Sequence, residues 1–151
     1  MSLPLIILMV LAIAACSGSI SIREYSTVLR CPDCPTLPVS SIIDGDTFDT
    51  PRGRVRLFGV DTPERGEKCY GPATTALKQL VGRLVRVELG PRALDPGGRF
   101  LYYVFTEAGN SIDEMLVQQG LARAWSRDGQ YRDHLVGLER EAKRTGTGCL
   151  W

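Results

Sequence analysis

The stretch "DGDTFDTPRGRVRLFGVDTPE", residues 44–64, contains two turn signals and two runs of strand-forming residues. Its opening Asp-Gly pair is typical of a tight hairpin turn, because it supplies the positive backbone φ angle that such a turn needs, and "PRG" marks a second turn. Together with the preceding apolar run "VSSII", the stretch predicts a three-stranded meander. Side chains alternate along a strand, so Val55 and Leu57 of the third strand face the core and Arg56 points away from it.

Beyond the meander, the hydrophobic pattern predicts one helix, two strands and two further helices. The predicted segments are the helix "GPATTALKQLVG" at 71–82, the strands "LVRVEL" at 84–89 and "FLYYVF" at 100–105, a helix from the capping box "SIDE" at 111–114 to Gly120, and the helix "YRDHLVGLEREAKR" at 131–144. "LARAW" at 121–125 predicts a short extended connection. This order predicts an α+β fold, a five-stranded OB-fold β-barrel with three helices.

The composition is that of a soluble globular domain. The chain has 151 residues, of which 44% are hydrophobic and 23% charged, enough for one domain with a core. Its 18 Lys and Arg residues against 17 Asp and Glu residues give a net charge of +1. No broad basic surface is expected, so an anionic substrate must be held by a few placed arginines.

The N-terminal run "LPLIILMVLAIAA" is too short for a comfortable membrane span and has the length of a signal-peptide core. It carries no polar face, which disfavours a buried helix. Small residues precede Cys16, an arrangement that resembles a bacterial lipobox. We therefore predict a lipoprotein-type signal peptide at 1–15, lipidation at Cys16, a tether at 16–37 and the folded domain at 38–151. The expected location is extracytoplasmic, in the bacterial cell envelope, either anchored to the membrane through Cys16 or secreted.

The cysteines are consistent with that compartment. Five are present, and without Cys16 four remain, which outside the cytoplasm indicate two disulfides with three possible connectivities. A zinc site is disfavoured because "CPDC" has no second ligand pair at zinc spacing and His134 is the single histidine. We favour the local pair Cys31–Cys34 and the long-range pair Cys69–Cys149.

Carboxylates and arginines gather at the strand ends and turns. The carboxylates are Asp44, Asp46, Asp61 and Glu64, and the arginines are Arg56 and Arg99. Hard oxygen ligands from separate turns are what Ca²⁺ or Mg²⁺ requires, and the residue before Pro63 is restricted to extended geometry that can aim the Thr62 carbonyl at an ion. The two guanidiniums suit a phosphate, so the set predicts metal-assisted phosphodiester chemistry.

Six motifs in order resemble the thermonuclease family, the relatives of staphylococcal nuclease. They are "DGDT" at 44–47, "RLFGVDTPE" at 56–64, "YGPA" at 70–73, "GGRFLYY" at 97–103, "MLVQQGLA" at 115–122 and the terminal "LW". The resemblance runs from Val39 to Trp151. It implies a Ca²⁺-dependent endonuclease on an OB-fold, which cleaves DNA and RNA and leaves 3′-phosphates. We expect a monomer.

The resemblance also implies roles for single residues. Asp46, Asp61 and the Thr62 carbonyl would bind Ca²⁺, with Asp44 in the outer shell. Glu64 would position or deprotonate the attacking water. Arg56 and Arg99 would clamp the scissile phosphate, with Arg99 also near the leaving group.

Two positions depart from the family pattern. Gly97 stands where an aromatic residue usually precedes the Gly-Arg pair, and Ser126 stands where an aromatic residue would stack on a base. Stacking contributes about 1–3 kcal/mol per base, so we expect weaker substrate affinity with intact chemistry, with Trp125 or Tyr131 as partial substitutes. Two alternatives stay open: a non-catalytic OB-fold module that binds nucleic acid or protein at the envelope, and a structural lipoprotein whose carboxylates hold Ca²⁺ for stability alone.

Overall fold

The computed structural model describes residues 26–151. The predicted signal peptide, the lipidation site Cys16 and the first part of the predicted tether lie outside the described residues. Within the described range, no helix has both the length and the apolar character needed to cross a bilayer.

A curled mixed sheet forms the centre of the domain. Its strands are β1 Thr36–Pro38, β2 Ser41–Ile42, β3 Thr47–Thr50, β4 Gly53–Leu57, β6 Leu84–Leu94 and β7 Phe100–Phe105, in the order β1-β6-β7-β4-β3-β2. All neighbours are antiparallel except β4 and β7, which run parallel with Val55 opposite Phe100. A separate antiparallel pair consists of β5 Val60–Asp61 and β8 Arg123–Ala124.

Three helices complete the described part of the chain: α1 Tyr70–Leu80, α2 Ile112–Gln118 and α3 Arg132–Thr145. Helix α1 buries its small apolar face, including Leu77. Helix α2 begins as the capping motif predicts, because the Ser111 hydroxyl accepts a hydrogen bond from the Glu114 N–H. The α+β, OB-type architecture is therefore confirmed.

The third predicted strand is divided. The chain turns at Phe58 and Gly59, so residues 54–60 form the end of β4 and the start of β5. The Gly59 carbonyl accepts from the Trp125 N–H at 2.8 Å, which brings the "LARAW" segment beside β5. The two residues are far apart in sequence, so the local hydrophobic pattern does not predict this contact.

Residues 26–37 differ from the predicted tether. Strand β1 adds an edge to the sheet by pairing with β6, and Leu37 is buried. The Val28 and Leu29 N–H groups donate to the Glu114 carboxylate at 3.2 and 2.8 Å. Paired backbone and a buried leucine hold this part of the predicted tether on the domain.

The hydrophobic core lies on both sides of β7. Its sequence "FLYYVF" is apolar on both faces of the strand, which predicts this arrangement. Phe48, Val55 and Val104 belong to the cluster inside the curled sheet. Leu101 and Tyr103 face the other way and pack with the cluster under α3. Strand β7, which begins directly after Arg99, is thus packed on both faces.

A buried carboxyl fixes the turn between β4 and β5. Asp113 is fully buried, and its two oxygens accept from the Gly59 N–H at 2.9 Å and the Val104 N–H at 3.0 Å. Burial raises the pKa of Asp113 to about 7, although these N–H donors act to lower it. The turn that joins Arg56 to Asp61 therefore rests on one side chain of α2.

We expect Asp113→Asn to lower the free energy of unfolding by about 1–3 kcal/mol at pH 5, because the amide turns an N–H₂ group toward a backbone N–H donor. Below the raised pKa the wild-type carboxyl is uncharged, so the variant relieves no buried charge. Urea unfolding would measure the loss. Asp133→Asn is the matched control, since the Asp133 side chain is 86% exposed on α3 and its loss should change stability by less than about 0.5 kcal/mol. Equal stabilities for the two variants would contradict this role.

The structure contains both favoured disulfides. Cys31 and Cys34 are joined with their Cα atoms 5.3 Å apart, and Cys69 and Cys149 with theirs 5.7 Å apart. Cys69 directly precedes α1, so the second bridge ties the C-terminal segment to the end of the loop that carries Glu64.

Loss of the long-range bridge should destabilise the domain more than loss of the local one. The Cys69–Cys149 bridge spans 80 positions and the Cys31–Cys34 bridge spans 3. Loop-closure entropy then gives on the order of 4 kcal/mol for the former and about 2 kcal/mol for the latter. Guanidinium unfolding of the two double-serine variants would measure both, and a larger loss for the local pair would contradict the entropic argument.

Candidate active site

Asp46 lies at the centre of the charged cluster. It is 5% exposed and immediately precedes β3. One carboxylate oxygen accepts from the Thr47 hydroxyl at 2.8 Å, and the other accepts from the Thr62 N–H at 3.0 Å. These bonds bring the "DGDT" turn and the "DTPE" turn together.

The predicted reason for the glycine in "DGDT" is wrong. Gly45 does not have a positive φ angle, and the hairpin loop between β2 and β3 closes without one. A Cβ atom on Gly45 would lie 2.8 Å from Ala73 Cβ and 2.8 Å from Thr62 Oγ1. The position needs glycine because α1 and the Thr62 turn approach the backbone closely.

Arg56 connects the two predicted metal-binding aspartates. One of its terminal nitrogens lies 2.7 Å from Asp61 Oδ1 and 3.6 Å from Asp46 Oδ2. Its side chain is 14% exposed, whereas that of Asp61 is 54% exposed. As predicted, the arginine leaves the core face of β4, and it lies where it neutralises both carboxylates.

Glu64 lies beside this cluster on the exposed loop before α1. Partial burial, followed by the negative charges of Asp44, Asp46 and Asp61, raises its pKa above the usual value. Burial and the charge of Asp46 also raise the pKa of Asp44, whose carboxylate accepts from the Asp46 N–H at 3.1 Å. A cleft of about 520 Å³ opens here, lined by Asp61, Thr62 and Glu64.

Arg99 is held by the turn before β7. Its side-chain Nε–H donates to Asp95 Oδ2 at 2.5 Å and its backbone N–H donates to Asp95 Oδ1 at 2.9 Å. Burial would raise the pKa of Asp95, but the hydrogen bonds from Arg99 hold it below the usual value. The Arg99 side chain remains 39% exposed, so donors of its guanidinium are free to meet a ligand.

A second pocket, of about 250 Å³, brings the two arginines together. Arg56 and Arg99 both line it, with the Trp125 indole beside them. The Arg56 guanidinium carbon lies 5.9 Å from the Trp125 ring centroid. Tyr131, the other aromatic substitute considered above, instead donates its hydroxyl to Glu88 at 2.8 Å.

A family model described as staphylococcal nuclease homologue matches residues 54–151, which include Arg56, Asp61, Glu64 and Arg99. The chain belongs to the staphylococcal nuclease family. It is 34% identical over 119 residues to the thermonuclease of Staphylococcus intermedius, covering 70% of each chain. It is 33% identical over 127 residues to the micrococcal nuclease of Shigella flexneri, covering 75% of this chain and 71% of that protein. The endonuclease YncB of Bacillus subtilis is 36% identical over 117 residues, covering 67% and 54% respectively.

This protein is therefore a nuclease. Within residues 26–151, no three acidic, histidine or cysteine side chains lie close enough to form an ion cage by themselves. The expected set requires only two carboxylates, and both reach within 3.6 Å of one Arg56 nitrogen. With the Thr62 carbonyl they would offer oxygen ligands alone, which fits Ca²⁺ because that ion binds oxygen ligands and completes its shell with water.

Three aspartates that orient the site were not predicted from the sequence. Asp95 holds Arg99, Asp113 holds the turn after Arg56, and Asp128 accepts the Trp125 indole N–H at 2.8 Å. Asp95 opens the "DPGGR" turn, so its position at least signals a local hydrogen bond. Asp113 carries no comparable signal, because its partner Gly59 lies 54 positions away in the chain.

Proposed function

We propose that this nuclease is a Ca²⁺-dependent endonuclease that hydrolyses DNA and RNA and leaves 3′-phosphates. The observation that carries the proposal is the position of Arg56, which lines one pocket with Arg99 and contacts Asp46 and Asp61, while Asp61 lines the cleft that holds Glu64. The arginines bind the phosphate, Asp46 and Asp61 would bind the ion, and Glu64 accepts a proton. All of these residues come from one chain, so we propose that a monomer is active.

Arg56 and Arg99 act on the phosphate. Both line the 250 Å³ pocket, and each is already oriented by an aspartate. Paired guanidinium donors hold the non-bridging oxygens and stabilise the negative charge that accumulates as water attacks phosphorus. As the water oxygen bonds to phosphorus, the bond from phosphorus to the 5′-oxygen breaks, leaving a 3′-phosphate and a 5′-hydroxyl that takes its proton from solvent. Arg99 would stabilise the departing oxygen.

Glu64 receives the proton of the attacking water. Its raised pKa brings the carboxylate closer to the range in which a general base works at neutral pH. Asp46, Asp61 and the Thr62 carbonyl would hold Ca²⁺, with Asp44 supporting Asp46 through its backbone N–H. When bound, the ion would supply positive charge that lowers the energy of the developing phosphorane.

We propose that the protein works outside the cytoplasm, anchored through a lipid on Cys16 or secreted. The signal-like N-terminal run supports this location, and so do two disulfides, which persist in oxidising compartments. Labelling with a radioactive fatty acid would show incorporation into the wild-type chain and none into Cys16→Ser.

Digestion of a closed circular plasmid in Ca²⁺ tests the proposed reaction. An endonuclease opens the circle, and 3′-phosphate ends block extension by a DNA polymerase until a phosphatase removes them. Ends that extend without phosphatase would refute the proposed bond cleavage. Retention of an intact circle, with binding of the plasmid, would favour the non-catalytic OB-fold module.

A further inference from the structure

A third arginine lines the pocket that holds Arg56 and Arg99, and the proposed chemistry leaves it without a role. Each of the three is paired with its own aspartate: Arg56 with Asp61, Arg99 with Asp95, and Arg92 with Asp128. The Arg92 side chain is 46% exposed, so part of its guanidinium fork is open to a ligand.

Arg92 is held in place from two directions. One terminal nitrogen pairs with Asp128 Oδ2, and the guanidinium carbon lies 5.2 Å from the ring centroid of the buried Phe58. The other Asp128 oxygen accepts the Trp125 indole N–H. The hydrogen bond from Trp125, and then Arg92, keep the pKa of Asp128 below its usual value, so the aspartate is charged at neutral pH.

The segment that carries Asp128 is itself anchored. Gly129 has a φ angle of +114°, and a Cβ atom there would lie 2.3 Å from the Tyr103 hydroxyl and 2.7 Å from Phe58. Only glycine fits this backbone and this close approach. Asp128 thus stands at a defined place beside the pocket.

We propose that Arg92 binds the phosphate next to the scissile one along a single strand of nucleic acid, with Asp128 as its positioning residue. The inference rests on the proposed function, in which Arg56 and Arg99 hold the scissile phosphate. A phosphodiester presents only one pair of non-bridging oxygens, and two guanidinium forks are enough to satisfy them. The third fork in the same pocket therefore meets a different phosphate. This contact compensates for the affinity lost at Gly97 and Ser126, where the family pattern has aromatic residues.

Binding of a labelled single-stranded oligonucleotide, measured by fluorescence anisotropy across a salt series, tests this role. The measurement uses the Glu64→Gln background with Ca²⁺, in which the strand should stay intact. Loss of one phosphate contact to a single strand should reduce the slope of log K against log salt by about 0.7. We expect that reduction and weaker binding for Arg92→Gln, and a restored slope for Arg92→Lys, which keeps the charge.

Arg54→Gln is the matched control. Arg54 is 48% exposed, is likewise paired with an aspartate, Asp49, and does not line the pocket. It should leave affinity and slope unchanged. Asp128→Asn should weaken binding and shift the Trp125 emission, measured in a Trp151→Phe background, because the indole loses a charged acceptor.

An unchanged slope and affinity in Arg92→Gln, with the strand still bound, would overturn this inference and leave the proposed function intact. An equal loss in Arg54→Gln would also overturn it, because the effect would then reflect net charge alone. Absence of salt-dependent binding in all proteins, the Glu64→Gln background included, would overturn the proposed function and this inference together.

Discussion

Replacing Glu64 by glutamine should lower turnover by about 10²–10⁴-fold and leave the domain folded. The amide cannot accept the proton of the attacking water, and it keeps the shape of the side chain. Glu64 is exposed, so the change has little effect on packing. Initial rates on a labelled oligonucleotide in saturating Ca²⁺ would measure kcat, and thermal unfolding would confirm that stability is unchanged.

Glu67 provides the matched control for that experiment. It lies on the same loop, lines the same cleft, and its carboxylate accepts the Glu64 backbone N–H at 2.8 Å. Glu67→Gln keeps an oxygen acceptor for that bond, so the loop should hold its position and the rate should change little. Equal rates for both variants and wild type would show that Glu64 is not the base.

Arg56→Ala should lower kcat/KM by roughly 10²–10³-fold, the loss that follows removal of one preorganised donor to a developing charge. The alanine also removes the cation that lies 2.7 Å from Asp61 and 3.6 Å from Asp46. The two carboxylates would then repel each other more strongly, so binding of Ca²⁺ should tighten even as turnover falls. Steady-state kinetics and Ca²⁺ titration would separate the two effects.

The control is Arg54→Ala on the same strand. Arg54 pairs with Asp49 at 2.8 Å on the exposed surface, and exposed ion pairs contribute little to stability. Its loss should leave kcat/KM close to wild type. A full rate in Arg56→Ala, or the same loss in both variants, would contradict the assignment of Arg56 to the phosphate.

Much of this site can be predicted because its residues are close together in the chain. Asp44 and Asp46 share one turn, Asp61, Thr62 and Glu64 share another, and β-strand alternation alone turns Arg56 out of the core. The helices α1 and α3 follow from their apolar periodicity. Such features depend on local geometry, which a short window of sequence records.

The remaining features depend on distant contacts. Strand β1 forms because β6 offers it a free edge, and the break between β4 and β5 depends on Asp113, which is more than fifty positions away. Arg92 and Asp128 come together across 36 positions. The need for glycine at position 45 also depends on distant residues, since the atoms that exclude a side chain belong to α1 and Thr62. None of these partners is visible in a local pattern.

Cleavage of a single-stranded oligonucleotide as a function of buffered free Ca²⁺ tests the central claim most directly. We expect the wild-type rate to rise with Ca²⁺ to a plateau and to vanish in EGTA, because the site needs positive charge that Arg56 and Arg99 alone do not supply. Asp46→Asn should move the midpoint to higher Ca²⁺, since it removes a buried ligand charge. A rate that persists unchanged in EGTA would contradict a Ca²⁺-dependent site at Asp46 and Asp61.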